Sequence, residues 1–378
     1  MMDDNGSKDH LVKNKIIMIT IPTLLLNEEI CRRNIRKMAE IARKNKVVLR
    51  PHFKTHQSHE IGNWFREEGT EKITVSSLRM AQYFARDGWK DILVAFPVNI
   101  LEIDTINQLA AGFRLSLLVE SVETVKFLQQ HLKSTVSIYI KVDTGLHRTG
   151  VDWSDHKSVS EILETVNISG KTSFTGFLTH AGNSYQSRNI SDIQVVYKES
   201  TSRMISLKNR FITEYPGLKI SIGDTPSCST MDDFSMVDEI RPGNYVFYDV
   251  SQTIIGSCSP GQVAVAMACP VVAVHKERNE LVIYGGSVHF AKDNITDRNG
   301  ITIYGRVVRN NGNGWGDIIE GSYLKSISQE HGIVKVPADV IYEYKPGDII
   351  KILPVHSCTT ANLMKEYLTV DGRKISMM

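Results

Sequence analysis

The chain has no CxxC pair. Its five cysteines, at positions 31, 228, 258, 269 and 358, keep no disulfide-like spacing, which sets aside a small disulfide-stapled fold. No run of about 18 apolar residues exists, so no segment reads as a membrane-spanning helix. Neither sign of charge is in excess. Lys and Arg number 44 against 42 Asp and Glu, a net +2 with no dense basic tract. Nucleic acid and anionic membrane are therefore set aside as main partners. The opening MMDDNGSKDHLVKNK lacks the apolar core of a signal peptide and reads as a flexible tail over residues 1–15. The resulting expectation is a cytoplasmic chain with reduced cysteines. Repeats and low-complexity tracts are missing. So is a GxGxxG after the first strand-like run, the usual signal of a dinucleotide site.

What is there is a chain of 378 residues, 42% hydrophobic, enough for two domains. Eight short apolar runs read as strands: 47–49, 72–77, 91–98, 114–121, 136–143, 173–182, 218–225 and 236–243. Amphipathic segments separate most of them. One precedes the first strand, from Glu28 to Lys44, with Cys31, Ile35, Met38 and Ala42 at helical spacing. Strands alternating with helices imply right-handed crossovers and a parallel sheet. Eight such units predict a closed (β/α)8 TIM-type barrel over residues 16–250, with an open doubly wound sheet as the alternative. After about Val250 strand-like runs crowd together without long helices. This predicts a separate antiparallel β domain over 251–378. Residues 16–25 are strand-like and open to pairing with it.

Several residue types fall just past barrel strands, where such folds place their chemistry. Lys54, in RPHFKTHQS, follows strand 1. It reads either as a solvated lysine or as the kind that forms Schiff bases. Arg148 follows strand 5, His180 and Tyr185 follow strand 6, and Thr225 follows strand 7. Arg241, Gly243 and Asn244 follow strand 8. Hydroxyls and exposed N–H groups from Thr225, Gly243 and Asn244 could hold a phosphate, since glycine permits close backbone approach. Near the end, PVHSC follows a strand-like run. His356 and Cys358, two apart on a strand, would face one side and could reach one ion. By spacing alone, a buried structural pair is the competing reading.

Taken together and in this order, RPHFKTH, DTGLHRTG, FLTHAGNSY, GDTPS, RPGNYVFYD and HSC resemble the fold-type III pyridoxal-phosphate enzymes. More narrowly, the chain resembles the D-serine dehydratase and D-threonine aldolase group, related to alanine racemase. The likeness runs from about Ile21 to Asn362. It implies a pyridoxal 5'-phosphate barrel followed by a β domain, in a homodimer. Lys54 would be the Schiff-base lysine and His180 would pack on the cofactor ring. Arg148 would lie near the ring's phenolic oxygen and Arg241 would face its pyridine nitrogen. Tyr185 would contact cofactor or substrate, and Thr225, Gly243 and Asn244 would hold the phosphate. His356 and Cys358 match the family's zinc ligands. A thiolate favours Zn²⁺, although another divalent ion would fit the position.

The chemistry so implied is a lyase reaction on a small D-3-hydroxy amino acid. The Lys54 amine would remove the Cα proton, and the metal would act as Lewis acid on the β-oxygen. The products would be a 2-oxo acid and ammonia. D-threonine aldolase chemistry, cleaving Cα–Cβ, is the nearest rival. An amino-acid racemase or a non-catalytic pyridoxal-phosphate carrier is the more distant one.

Overall fold

The computed structural model describes residues 18–378, so the expected tail at 1–15 lies outside it. All eight predicted barrel strands form. They are strand 1 (Val48–Leu49), strand 2 (Lys72–Val75), strand 3 (Asp91–Pro97), strand 4 (Arg114–Val119), strand 5 (Val136–Asp143), strand 6 (Thr172–Leu178), strand 7 (Lys219–Ile222) and strand 8 (Glu239–Ile240). Their spatial order is 1-8-7-6-5-4-3-2, every pair parallel. Strands 1 and 2 close the ring through a single parallel bridge between His52 and Thr74. Strand 1 is short because Pro51 interrupts its ladder. The pairing nevertheless continues past it, from Arg50 N to Ile240 O and from His52 N to Pro242 O, both at 2.9 Å.

The expected first helix runs Glu28–Asn45. Asn27 caps it by accepting from Ile30 N, acidic Glu28 and Glu29 open it, and Arg43 and Lys44 close it. Its predicted stripe of Cys31, Ile35, Met38 and Ala42 is buried. Alternation along the strands sends Ile92, Val94, Leu117 and Ile140 into the main core. Their neighbours Leu93, Leu118, Tyr139 and Leu178 form a separate small cluster on the opposite face, inside the barrel.

The second sheet is antiparallel but for one pair, with Val265–His275 at its centre. Thr23–Leu26 pairs with Val265–Ala268, so this early strand belongs to the second sheet. The longest strand, Gly314–Ile327, was not foreseen, because glycines and charges break its alternation. One expectation is corrected. The strand before HSC ends at Pro354, and His356 caps the helix Ser357–Met364 with Cys358 inside its first turn. His356 and Cys358 thus sit at a strand–helix junction rather than on a strand face. Among the described residues no helix is long and apolar enough to cross a membrane.

Candidate active site

Lys54 follows a side chain driven deep into the core. Phe53 is fully buried against Phe65, Phe84 and Trp89, with ring centroids 4.9 to 5.1 Å away. That anchor fixes where the next residue emerges. From Phe53 to Ser58 only Lys54 is exposed. Its amine belongs to a cluster of cations. The charges of Lys54, Arg148 and Arg241 all bear on His180. Arg148 itself is exposed.

The His180 ring donates from Nδ1 to Gly223 O at 2.5 Å, which sets the tautomer and leaves Nε2 without its proton. Burial, joined by the three nearby cations, lowers its pKa to about 3. The ring is therefore neutral at ordinary pH. His52 is neutral for the same reason: burial depresses it first, then Lys54 and Arg241.

Arg241 is buried and directs its fork at Ser221 Oγ (2.6 Å) and Thr179 O (2.7 Å). Ser221 in turn donates to Glu239 (2.5 Å), which holds Arg50 (2.6 Å), and Arg50 reaches Asp91 (2.7 Å). Burial pulls the Arg241 pKa down to about 10, although Glu239 opposes the shift. An arginine without a direct carboxylate partner is an available positive charge facing the barrel interior.

Loops 7 and 8 lie alongside. The hydroxyls of Thr225 and Ser227 are fully buried, Thr225 beside the Tyr185 hydroxyl and Ser227 beside the Asp224 carboxylate, but neither contact has good hydrogen-bond geometry. Leaving a buried donor unpaired costs about 1–3 kcal/mol, so each is an observation needing a partner. Tyr185 Oη accepts from Thr225 N at 3.2 Å. A Cβ on Gly243 would stand 3.0 Å from both Cβ and O of His52, so a side chain there would push loop 8 off loop 1 by a few tenths of an ångström. The N–H groups of Gly243 and Asn244 take no partner among the described residues. Two buried hydroxyls and two open N–H groups are all donors. They suit a phosphate, which only accepts.

The strand–helix junction at His356 completes the arrangement. Burial alone would raise the Cys358 thiol. The hydrogen bond and charge of His356, the charge of Lys54 and the Thr55 hydroxyl together hold it below its ordinary value. Burial would lower His356, but Asp293 and Cys358 raise it to about 11. The contact therefore favours the charged form of each partner, and a divalent cation would replace the positive one. Among the described residues no set of three His, Cys, Asp or Glu side chains converges to hold a metal. A metal here would fill its other positions with water or substrate oxygen.

Besides Ser227, three contributors escaped the sequence reading. Thr55 reaches Cys358 (3.3 Å), Asp293 reaches His356 Nδ1 (3.3 Å), and buried Asp249 accepts from Asn244 Nδ2 (2.6 Å) and Ser357 N (3.1 Å). Asp249 alone left a trace, as the acidic cap before a short apolar segment.

The chain matches the alanine racemase N-terminal domain over residues 27–250 and a serine dehydratase domain over residues 264–370. It is 28% identical to a D-serine dehydratase of Dictyostelium discoideum, over 94% of each chain. It is 27% identical to the D-threo-3-hydroxyaspartate dehydratase of Delftia sp. HT23, whose solved structure superposes with a TM-score of 0.86 over 96% of this chain and 98% of that one. A cysteine-to-alanine mutant of a D-threo-3-hydroxyaspartate dehydratase, solved in its metal-free form, superposes at 0.87, with 26% identity over 96% and 98% of the two chains.

Proposed function

Since the chain belongs to the alanine racemase N-terminal domain family, we propose that it is a pyridoxal-phosphate-dependent lyase removing water from a D-3-hydroxy amino acid. The product would be a 2-oxo acid and ammonia. One observation carries this reading. Lys54, the donor-rich loops 7 and 8, and the sulfur of Cys358 gather at one end of the barrel, with Thr55 touching the sulfur at 3.3 Å.

Pyridoxal phosphate, when bound, supplies an electron sink for the pair released at Cα. Lys54 would anchor it and then act as the base that takes the Cα proton. His180, neutral and fixed by Gly223, would pack on the ring without adding charge. Arg148 would lie beside its phenolic oxygen and Arg241 beside its pyridine nitrogen. Tyr185 would position the ring or the substrate. The Thr225 and Ser227 hydroxyls and the N–H groups of Gly243 and Asn244 would grip the phosphate. His356 and Cys358 would hold Zn²⁺, whose Lewis acidity makes a β-hydroxyl a better leaving group. Thiolate in the donor set supports zinc over magnesium. The metal-free form of a cysteine mutant of a D-threo-3-hydroxyaspartate dehydratase lends support to a bound metal. A cytoplasmic homodimer is part of the same proposal.

The test is product analysis. Purified protein incubated with D-serine should release pyruvate and ammonia, and with D-threonine 2-oxobutyrate. Lys54→Ala should abolish both. Glycine and an aldehyde from D-threonine would instead mark an aldolase. Full turnover by Lys54→Ala would sink the reading.

A further inference from the structure

Asp249 takes no part in the chemistry above, yet it is 1% exposed and makes four hydrogen bonds. Its Oδ1 accepts from Gln252 N at 3.0 Å, capping the helix Val250–Ile255. Its Oδ2 accepts from Asn244 Nδ2 (2.6 Å), Ser357 N (3.1 Å) and Ser357 Oγ (3.3 Å). The Asn244 amide also reaches Ser357 Oγ (3.1 Å) and Cys358 Sγ (3.5 Å). The carboxylate dictates this orientation, because a turned amide would set oxygen against oxygen. One buried side chain thus grips both the loop carrying Gly243 and Asn244 and the turn carrying His356 and Cys358.

We propose that Asp249 couples the two ligands of the site, so that phosphate bound at loop 8 strengthens metal binding at His356 and Cys358, and the reverse. This rests on the lyase reading. The physical step is ordering. A phosphate on the Gly243 and Asn244 N–H groups fixes that backbone, and with it the amide donating to the Cys358 sulfur. Asp249 carries the same constraint to Ser357. The second ligand then meets a turn already ordered. Linkage requires the same factor in both directions.

The experiment uses the full chain stripped of metal by chelation and, in a second preparation, of pyridoxal phosphate by hydroxylamine. Zn²⁺ affinity is measured by competition with a chromophoric chelator, with and without saturating pyridoxal phosphate. Cofactor affinity is measured by absorbance with and without Zn²⁺. In the native protein each ligand should tighten the other by about tenfold, within the ordinary range of site coupling. Asp249→Asn, which keeps a capping oxygen, should bring the factor close to one while both ligands still bind. Ser357→Ala, a milder change, should reduce it. A factor of one in the native protein, or an unchanged factor in both variants, overturns the coupling and leaves the lyase reading standing. A native protein that binds neither ligand overturns both.

Discussion

The hydroxyl of Thr55 lies 3.3 Å from the sulfur of Cys358, although 303 residues separate them. Thr55 is the neighbour of Lys54, so this contact ties the proposed base to the proposed metal ligand. Thr55 is fully buried, and its hydroxyl has little freedom to turn elsewhere.

Thr55→Val removes that hydroxyl at nearly constant volume. A hydrogen bond of this kind contributes about 1 kcal/mol net. Zn²⁺ affinity, measured by chelator competition, should fall about fivefold, with little change in melting temperature. A valine variant with native metal affinity would show that the contact does nothing for the thiolate.

The buried hydroxyls of Thr225 and Ser227 give a second prediction. Each would donate to an anionic oxygen, an interaction of about 1.5–3 kcal/mol. Thr225→Val or Ser227→Ala should weaken pyridoxal phosphate about 10- to 100-fold. Pyridoxal, which lacks the phosphate, should bind both variants as it binds the native protein. Equal losses for the two compounds would place the phosphate elsewhere.

Glu239 joins Arg50 to the Ser221–Arg241 arm inside the barrel, and Arg50 and Glu239 side chains are each 4% exposed. Removing one member leaves buried positive charge poorly compensated. Glu239→Ala should destabilise the fold by about 3–5 kcal/mol in urea titration. Replacing an exposed pair such as Lys157 and Glu161 should cost under about 1 kcal/mol. A loss that small at Glu239 would mean that water reaches the network.

What the sequence made legible is what is local. Eight apolar runs between amphipathic segments were enough for the barrel, since period and spacing survive without tertiary contacts. The Lys54 loop and the glycine of loop 8 were legible because a strand end and a glycine each carry a meaning where they stand. The contacts Thr55–Cys358 and Asp249–Ser357 were not, because nothing in either partner's surroundings points to the other. The apolar run before HSC disguised the junction: it looked like strand through Cys358, whereas the strand ends at Pro354 and a helix begins at Ser357. Gly314–Ile327 failed differently. Its exposed glycines and charges hide a strand held by neighbours on both sides.

Acid sensitivity supplies the last prediction. His56 is fully buried among Phe53, Phe65 and Phe84, and burial lowers its pKa to about 3. In the unfolded chain the same ring titrates near 6.5. Between those values the unfolded chain binds the extra proton, so stability rises with pH there. Its contribution is complete above pH 6.5 and is lost as pH falls towards 3. From pH 7 to pH 5 one such group removes about 2 kcal/mol. His56→Gln, which keeps an acceptor for Ser58 N, does not titrate. Urea unfolding at the two pH values should therefore give a drop about 2 kcal/mol smaller in the variant than in the native protein. His180, also lowered to about 3, keeps the remaining slope from vanishing. If the two proteins lose the same stability on acidification, His56 is reached by water and already titrates in the folded state.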